Sequence, residues 1–142
     1  MTTITHPPLT PSSLELVDRA HDSLVAALAA GAPGERYVAA HLSALRAAAA
    51  VLAVRGRPTR RGRPRSVWEV LPSVAPELGE WATFFDAGAA RRAAVEAGRA
   101  EAVGSREADD LLRDAETFLR IVETAIGLPH TALPSGALPL ST

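Results

Sequence analysis

Four stretches of this chain carry apolar residues at alternating intervals of three and four positions, the spacing of one face of an α-helix. Three of the stretches end at a glycine followed two positions later by a proline, and the third stretch runs toward Gly98. Proline cannot continue a helix, so these pairs predict helix ends. The four stripes are Leu14, Val17, His21, Leu24 and Leu28; Val38, His41, Leu45, Ala48 and Leu52; Leu78, Trp81, Phe85, Ala89, Arg92 and Val95; and Ala108, Leu111, Ala115, Phe118, Val122 and Ile126.

Helix starts are marked by serines. Ser12–Glu15 and Ser66–Glu69 are capping boxes, in which the serine oxygen accepts an early helical N–H and the glutamate reaches back to the cap. The second box predicts only a short helix, because Pro72 and Pro76 interrupt it. Ser105 is the predicted cap of the last helix.

Composition agrees with a helical fold. The chain has 29 alanines and only six aromatic residues, and alanine loses no side-chain entropy in a helix. A helix with one apolar stripe must bury that stripe against neighbours. We therefore predict an all-α protein, an antiparallel up-down four-helix bundle. Its many alanines allow close approach, and a homodimer could use the same surface.

The expected domain spans residues 13–127, with disordered segments at 1–12 and at 128–142, where the tail is rich in proline. The absence of cysteine excludes disulfides and thiolate metal sites. We expect no metal, no cofactor and no membrane segment, and a cytoplasmic location.

Residues 55–65, here called the arginine connector, join the second and third main helices. They hold six of the 15 arginines and none of the 16 acidic residues, so the connector carries about +6 and the rest of the chain about −7. Such a cluster binds a polyanion, because each neutralised phosphate releases counterions, or else it stays solvated. The expected nucleic-acid-binding residues are Arg55, Arg57, Arg60, Arg61, Arg63 and Arg65.

His21 and His41 both lie on apolar stripes, and folding the first two helices into a hairpin brings them within about one turn of each other. Such a pair could bind a metal or move protons. It could equally consist of semi-buried histidines that hydrogen-bond to neighbouring groups.

The order of features resembles a family of short actinobacterial HEPN-domain proteins. The resemblance is carried by Ala20-His21, by the segments 36–46 and 66–81, and by Phe84–Gly88, and it spans roughly residues 14–127. It implies a helical bundle associated with nucleotide or RNA binding. Catalytic HEPN domains are metal-independent ribonucleases that use an Arg-x4-6-His motif at a dimer interface.

Arg36 and His41 satisfy that spacing. The resemblance implies that histidine would move a proton of the 2′-hydroxyl or leaving oxygen, and that arginine would stabilise charge on the phosphate. We therefore carry three hypotheses: a non-catalytic module that binds nucleic acid, RNA rather than DNA, through the arginine connector; a ribonuclease that uses Arg36 and His41; and a protein-interaction module in stress response or DNA repair.

Overall fold

The computed structural model describes residues 9–57 and 65–128, and every regular element within these ranges is helical. The predicted all-α class is therefore confirmed. Two single 3₁₀ turns, Pro76–Leu78 and Ala100–Ala102, lead into the fourth and fifth helices. In chain order the helices are α1 Pro11–Ala29, α2 Pro33–Arg55, α3 Val67–Val74, α4 Gly79–Glu96 and α5 Ser105–Ala125.

α1 and α2 form an antiparallel hairpin across a link of three residues. Ser43 Oγ donates to the carbonyl of Ala20 at 2.8 Å, and Arg46 Nη1 donates to Ser23 Oγ at 2.6 Å. Position 20 on α1 thus faces position 43 on α2. The facing surfaces are largely buried alanines, which let the two backbones approach closely.

α2 is the central element, because α1, α3, α4 and α5 all contact it. α2 is long enough to cross a membrane, and its most apolar 18-residue stretch has a mean hydropathy of 1.6. However, 56% of that stretch is buried inside the protein, as in the core helix of a globular domain. The core is completed by rings from three helices. Trp68 stacks on Phe85 at 5.3 Å, and Phe85 contacts Phe118 at 5.1 Å between ring centroids.

Two helix starts differ from the prediction. α1 begins at Pro11 with Thr10 as its cap, because Thr10 and Ser13 exchange hydrogen bonds. Residues 11 and 12 are therefore helical, although 1–12 was predicted to be disordered. α5 is capped by Gly104, whose N–H is accepted by Glu107, and Ser105 is its first helical residue. Hydroxyl residues and glycine are both favoured at the cap position, so neighbouring candidates compete for it.

Other ends match the sequence. Ser66 Oγ accepts the N–H of Glu69 at 3.2 Å and begins α3. α2 stops at Gly56, whose φ of 90° is accessible to glycine at little cost. Residues 1–8, 58–64 and 129–142, and with them most of both predicted disordered ends, lie outside the described residues.

Candidate nucleic-acid interface

Three of the six connector arginines, Arg60, Arg61 and Arg63, lie outside the described residues. The structure does place both ends of the connector. Arg57 Nη1 donates to the carbonyl of Arg65 at 3.5 Å, so the chain leaves and re-enters the helical domain at one point.

Arg55 is held within the fold. Its Nη1 donates to the carbonyl of Val74 at 3.2 Å and to the carboxylate of Glu77 at 2.8 Å, and its Nη2 donates to the carbonyl of Ala125 at 3.4 Å. The hydrogen bond from Arg55 lowers the pKa of Glu77, which is the expected effect of a cation beside a carboxylate. This corrects the prediction for Arg55, because its guanidinium joins the C-terminal ends of α2, α3 and α5 instead of pointing freely to solvent.

Arg57 and Arg65 differ in their contacts with carboxylates. Arg65 donates to the carbonyl of Glu69 at 3.2 Å, and its Nε lies 3.8 Å from the Glu69 carboxylate. Arg57 is exposed and contacts no carboxylate among residues 9–57 and 65–128. Within the described residues, Arg57 therefore has no carboxylate partner, while Arg65 lies 3.8 Å from the carboxylate of Glu69.

A cavity of about 470 Å³ adjoins the base of the connector. Arg55 and Arg120 line it together with the apolar side chains of Ile121 and Ala125. Arg120 also contacts Glu116 at 3.4 Å, so the two arginines at this cavity both have acidic partners. Glu77 also lines the cavity, so the cavity does not add unpaired positive charge to the connector.

Arg36, one half of the predicted catalytic pair, closes the C-terminus of α1. It donates to the carbonyls of Ala27, Leu28 and Ala30 at 3.0 to 3.4 Å and forms an ion pair with Asp109 at 2.6 Å. These are the free carbonyls at the end of a helix, which a cation stabilises. The guanidinium is therefore occupied by structural contacts.

His41, the other half, is fully buried. Its Nε2 lies 2.8 Å from the carbonyl of Phe85, and its Nδ1 lies 3.2 Å from Arg92 Nη1. A carbonyl only accepts and a guanidinium only donates, so Nε2 carries the proton and Nδ1 accepts. Burial lowers the pKa of His41, and the hydrogen bond to Phe85 opposes this effect.

The predicted catalytic pair is therefore wrong in its geometry. Arg36 contacts α1 and α5, whereas His41 contacts α4, and no surface of His41 reaches solvent. The spacing Arg-x4-His places the two residues on one helix but does not expose them in a shared cleft. A buried neutral imidazole cannot exchange a proton with a bound RNA strand.

His21 and His41 also bind different partners. His21 Nε2 lies 3.2 Å from a carboxylate oxygen of Glu123, which is buried on α5, and the second Glu123 oxygen has no hydrogen-bond partner among the described residues. The described part of the chain contains no group of three or more histidine, aspartate or glutamate side chains placed to hold a metal. The two histidines match the interpretation as hydrogen-bonded residues of the core.

Three residues have structural roles that the sequence analysis does not predict. Arg92 occupies an apolar stripe position of α4, and a charged residue on such a stripe indicates a buried polar partner, which here is His41. Gly88 lies where a Cβ would stand 2.7 Å from the Tyr37 hydroxyl oxygen, so α2 and α4 meet closely there. The position of Glu123 in the sequence does not predict that it is buried, because the burial results from α1 packing over this part of α5.

The chain was compared with protein-family models, with curated proteins and with solved structures. The family described as SAV_6107-like HEPN matches residues 27–123, which is more than half of the chain. No curated protein and no solved structure matches.

Proposed function

Because this chain belongs to the SAV_6107-like HEPN family, we propose that it is a nucleic-acid-associated protein whose arginine connector contacts the phosphates of RNA without catalysing cleavage. The family relationship supports association with nucleotides or RNA. The contact would be electrostatic and independent of base sequence.

The observation that carries this proposal is the separation of charge along the chain. Six arginines occupy the 11 positions 55–65 without one carboxylate. Arg57 is exposed with no acidic partner in the described residues, and Arg60, Arg61 and Arg63 have no acidic neighbour in the sequence before Glu69. Arg55 is excluded from the interface by its contacts in the fold, so Arg57, Arg60, Arg61 and Arg63 form its centre.

Ribonuclease activity through Arg36 and His41 is not part of the proposal. The burial of the His41 imidazole and the structural contacts of the Arg36 guanidinium argue against this pair as a catalytic site.

Several finer assignments also belong to the proposal. These are the four-helix antiparallel arrangement, with α3 as an addition to it, a domain from 13 to 127, a cytoplasmic location and a homodimer. The preference for RNA over DNA rests on the family relationship alone. The antiparallel α1–α2 hairpin supports the arrangement of helices, and the largely buried α2 supports a soluble domain.

The test compares two variants that each remove four arginines. R57Q/R60Q/R61Q/R63Q neutralises the centre of the connector, whereas R19Q/R99Q/R106Q/R113Q removes four exposed arginines elsewhere. Fluorescence polarisation with labelled single-stranded RNA, single-stranded DNA and duplex DNA measures Kd at one low salt concentration. We expect the connector variant to bind RNA about tenfold or more weakly than the control variant, because phosphate contacts dominate non-specific affinity. Equal loss in both variants, or no loss in either, would reject the proposal.

A further inference from the structure

A groove of acidic and aromatic side chains runs between α4 and α5. A cavity of about 420 Å³ between α2, α4 and α5 adjoins a second cavity of about 270 Å³, and the two share Phe84 and Asp114. Cavities of this size fall within the range of natural binding sites. We call this feature the acidic groove, and its carboxylates are Glu80, Glu107, Asp110 and Asp114.

The acidic groove carries uncompensated negative charge. Arg91 lines it and forms an ion pair with Glu107. Asp110 has only a contact of 4.0 Å with Arg113, and Glu80 and Asp114 form no ion pair with any described residue. Four carboxylates thus face one arginine. Burial, and then the neighbouring Asp110 charge, raise the pKa of Asp114, as expected of a carboxylate that lacks a cation.

The aromatic wall of the groove favours arginine as the cation. Phe84 is 45% exposed, which is unusual for so large an apolar side chain, and its ring meets Trp81 edge to face at 6.4 Å. A planar guanidinium stacks on an aromatic face and bonds to carboxylates in the same plane, and it is more weakly hydrated than an ammonium group. A groove that offers both surfaces therefore fits an arginine-rich segment.

We propose that the acidic groove of one molecule binds the arginine connector of a second copy of this chain. The charges are complementary, since the four connector arginines at 57, 60, 61 and 63 have no carboxylate near them in the sequence, and the groove lining holds four carboxylates and one arginine. The spacings also agree. Glu107, Asp110 and Asp114 follow one another by about 4.5 and 6 Å along α5, and the arginines at 61, 63 and 65 would lie about 6 to 7 Å apart in an extended strand.

The groove begins near the base of the connector, since Glu80 follows by three positions Glu77, whose carboxylate accepts from Arg55 at 2.8 Å. A connector bound within its own molecule would leave the wild type without concentration-dependent association, so sedimentation distinguishes that outcome from pairing between copies.

This interaction goes beyond the proposed function, because it gives the connector a protein partner that competes with nucleic acid for the same arginines. It does not depend on RNA binding, and it is tested on protein freed of nucleic acid. If the wild type binds RNA but does not self-associate, this inference fails and the proposed function stands.

Sedimentation velocity of the full chain over a concentration series, at low and at high salt, measures the association. We expect concentration-dependent association that weakens with salt, because exposed charges are screened. E80Q/D110N/D114N should weaken it tenfold or more. E15Q/D18N/D22N removes three exposed carboxylates from α1 and should leave it unchanged. Far-UV circular dichroism and the Tm of each variant confirm that it is folded.

Mixing supplies the sharpest arm of the experiment. The groove variant E80Q/D110N/D114N keeps its connector, and the connector variant R57Q/R60Q/R61Q/R63Q keeps its groove. Each alone should lack the salt-sensitive association that the wild type shows, while an equimolar mixture should restore that association through the one intact pairing. A wild-type protein that is monomeric at every concentration, association that survives the groove substitutions, or a mixture that stays monomeric would each overturn the proposal.

Discussion

His41 is held as a neutral imidazole between two partners of opposite character. The carbonyl of Phe85 requires a proton on Nε2, and the guanidinium of Arg92 requires a lone pair on Nδ1. Tyr37, Trp68 and Phe85 surround the ring. These contacts give the histidine a structural role in joining α2 to α4, which explains its place on an apolar stripe.

This role predicts a pH dependence of stability. Burial lowers the pKa of His41 below its ordinary 6.5, so the unfolded chain takes up the proton at a higher pH than the folded protein. Above pH 6.5 the imidazole is neutral in both states, and the contribution of His41 to the free energy of unfolding is complete. As pH falls below 6.5, this contribution decreases by at most about 1.4 kcal/mol per pH unit. Denaturant unfolding of wild type and H41Q between about pH 8 and 5 measures it. Their difference should shrink toward acid, and a constant difference would contradict the account.

Gly88 provides a second prediction at this contact. In G88A the new Cβ would stand 2.7 Å from the Tyr37 hydroxyl oxygen and 3.4 Å from His41 Cδ2. Overpacking of this kind costs about 1–3 kcal/mol. Y37F removes the closest atom, so G88A should destabilise the Y37F protein less than the wild type in urea unfolding. G31A is the control, because a Cβ at Gly31 would meet no atom within 4 Å. Equal costs in both backgrounds would show that the hydroxyl is not the obstacle.

At the scale of helices, Arg55 fastens three C-terminal ends where the connector begins. Hydrogen bonds from a charged donor contribute about 1.5–3 kcal/mol, whereas an exposed ion pair contributes about 0–1 kcal/mol. We therefore expect R55Q to lower the free energy of unfolding more than E77Q, which removes only the exposed carboxylate partner. Chemical denaturation measures both. A larger effect of E77Q would mean that the ion pair, and not the carbonyl contacts, holds the helix ends.

The pair His21 and Glu123 ties α1 to α5 in the interior. Glu123 is 1% exposed and only one of its carboxylate oxygens has a hydrogen-bond partner in the described structure. Removing the imidazole leaves the buried Glu123 side chain without its hydrogen-bond partner, so H21A should cost about 1–3 kcal/mol, whereas apolar replacement of both residues is often neutral or stabilising. H21L/E123L should therefore be more stable than H21A in thermal unfolding. If the double variant is the less stable protein, the pair is a net stabiliser of the fold.

Helix positions could be predicted from sequence because local chemistry decides them. Apolar spacing located the main helices, and Gly56 and Ser66 marked ends that the structure shows. Contacts between helices could not be predicted, because they depend on which apolar face packs against which other face. The spacing Arg36-x4-His41 predicts a catalytic pair, yet the fold buries His41 under α4 and directs Arg36 to the carbonyls at the end of α1. The partners Arg92 and Glu123 lie 51 and 102 residues from their histidines.

At the scale of the whole molecule, charge is segregated into a basic connector and an acidic remainder. The described structure keeps Arg57 exposed and places unpaired carboxylates in the acidic groove between α4 and α5. Each of these two regions offers charge to a partner of the opposite sign. Nucleic acid and a second copy of the chain would compete for the connector.

The salt dependence of RNA binding tests the central claim most directly. On single strands, log K falls with log salt by about 0.7 for each phosphate neutralised. Contacts from Arg57, Arg60, Arg61 and Arg63 therefore predict a slope of about −3 for the wild type. The slope should approach zero in R57Q/R60Q/R61Q/R63Q and stay near −3 in R19Q/R99Q/R106Q/R113Q. A connector variant that keeps the wild-type slope would show that phosphates do not dock on the arginine connector.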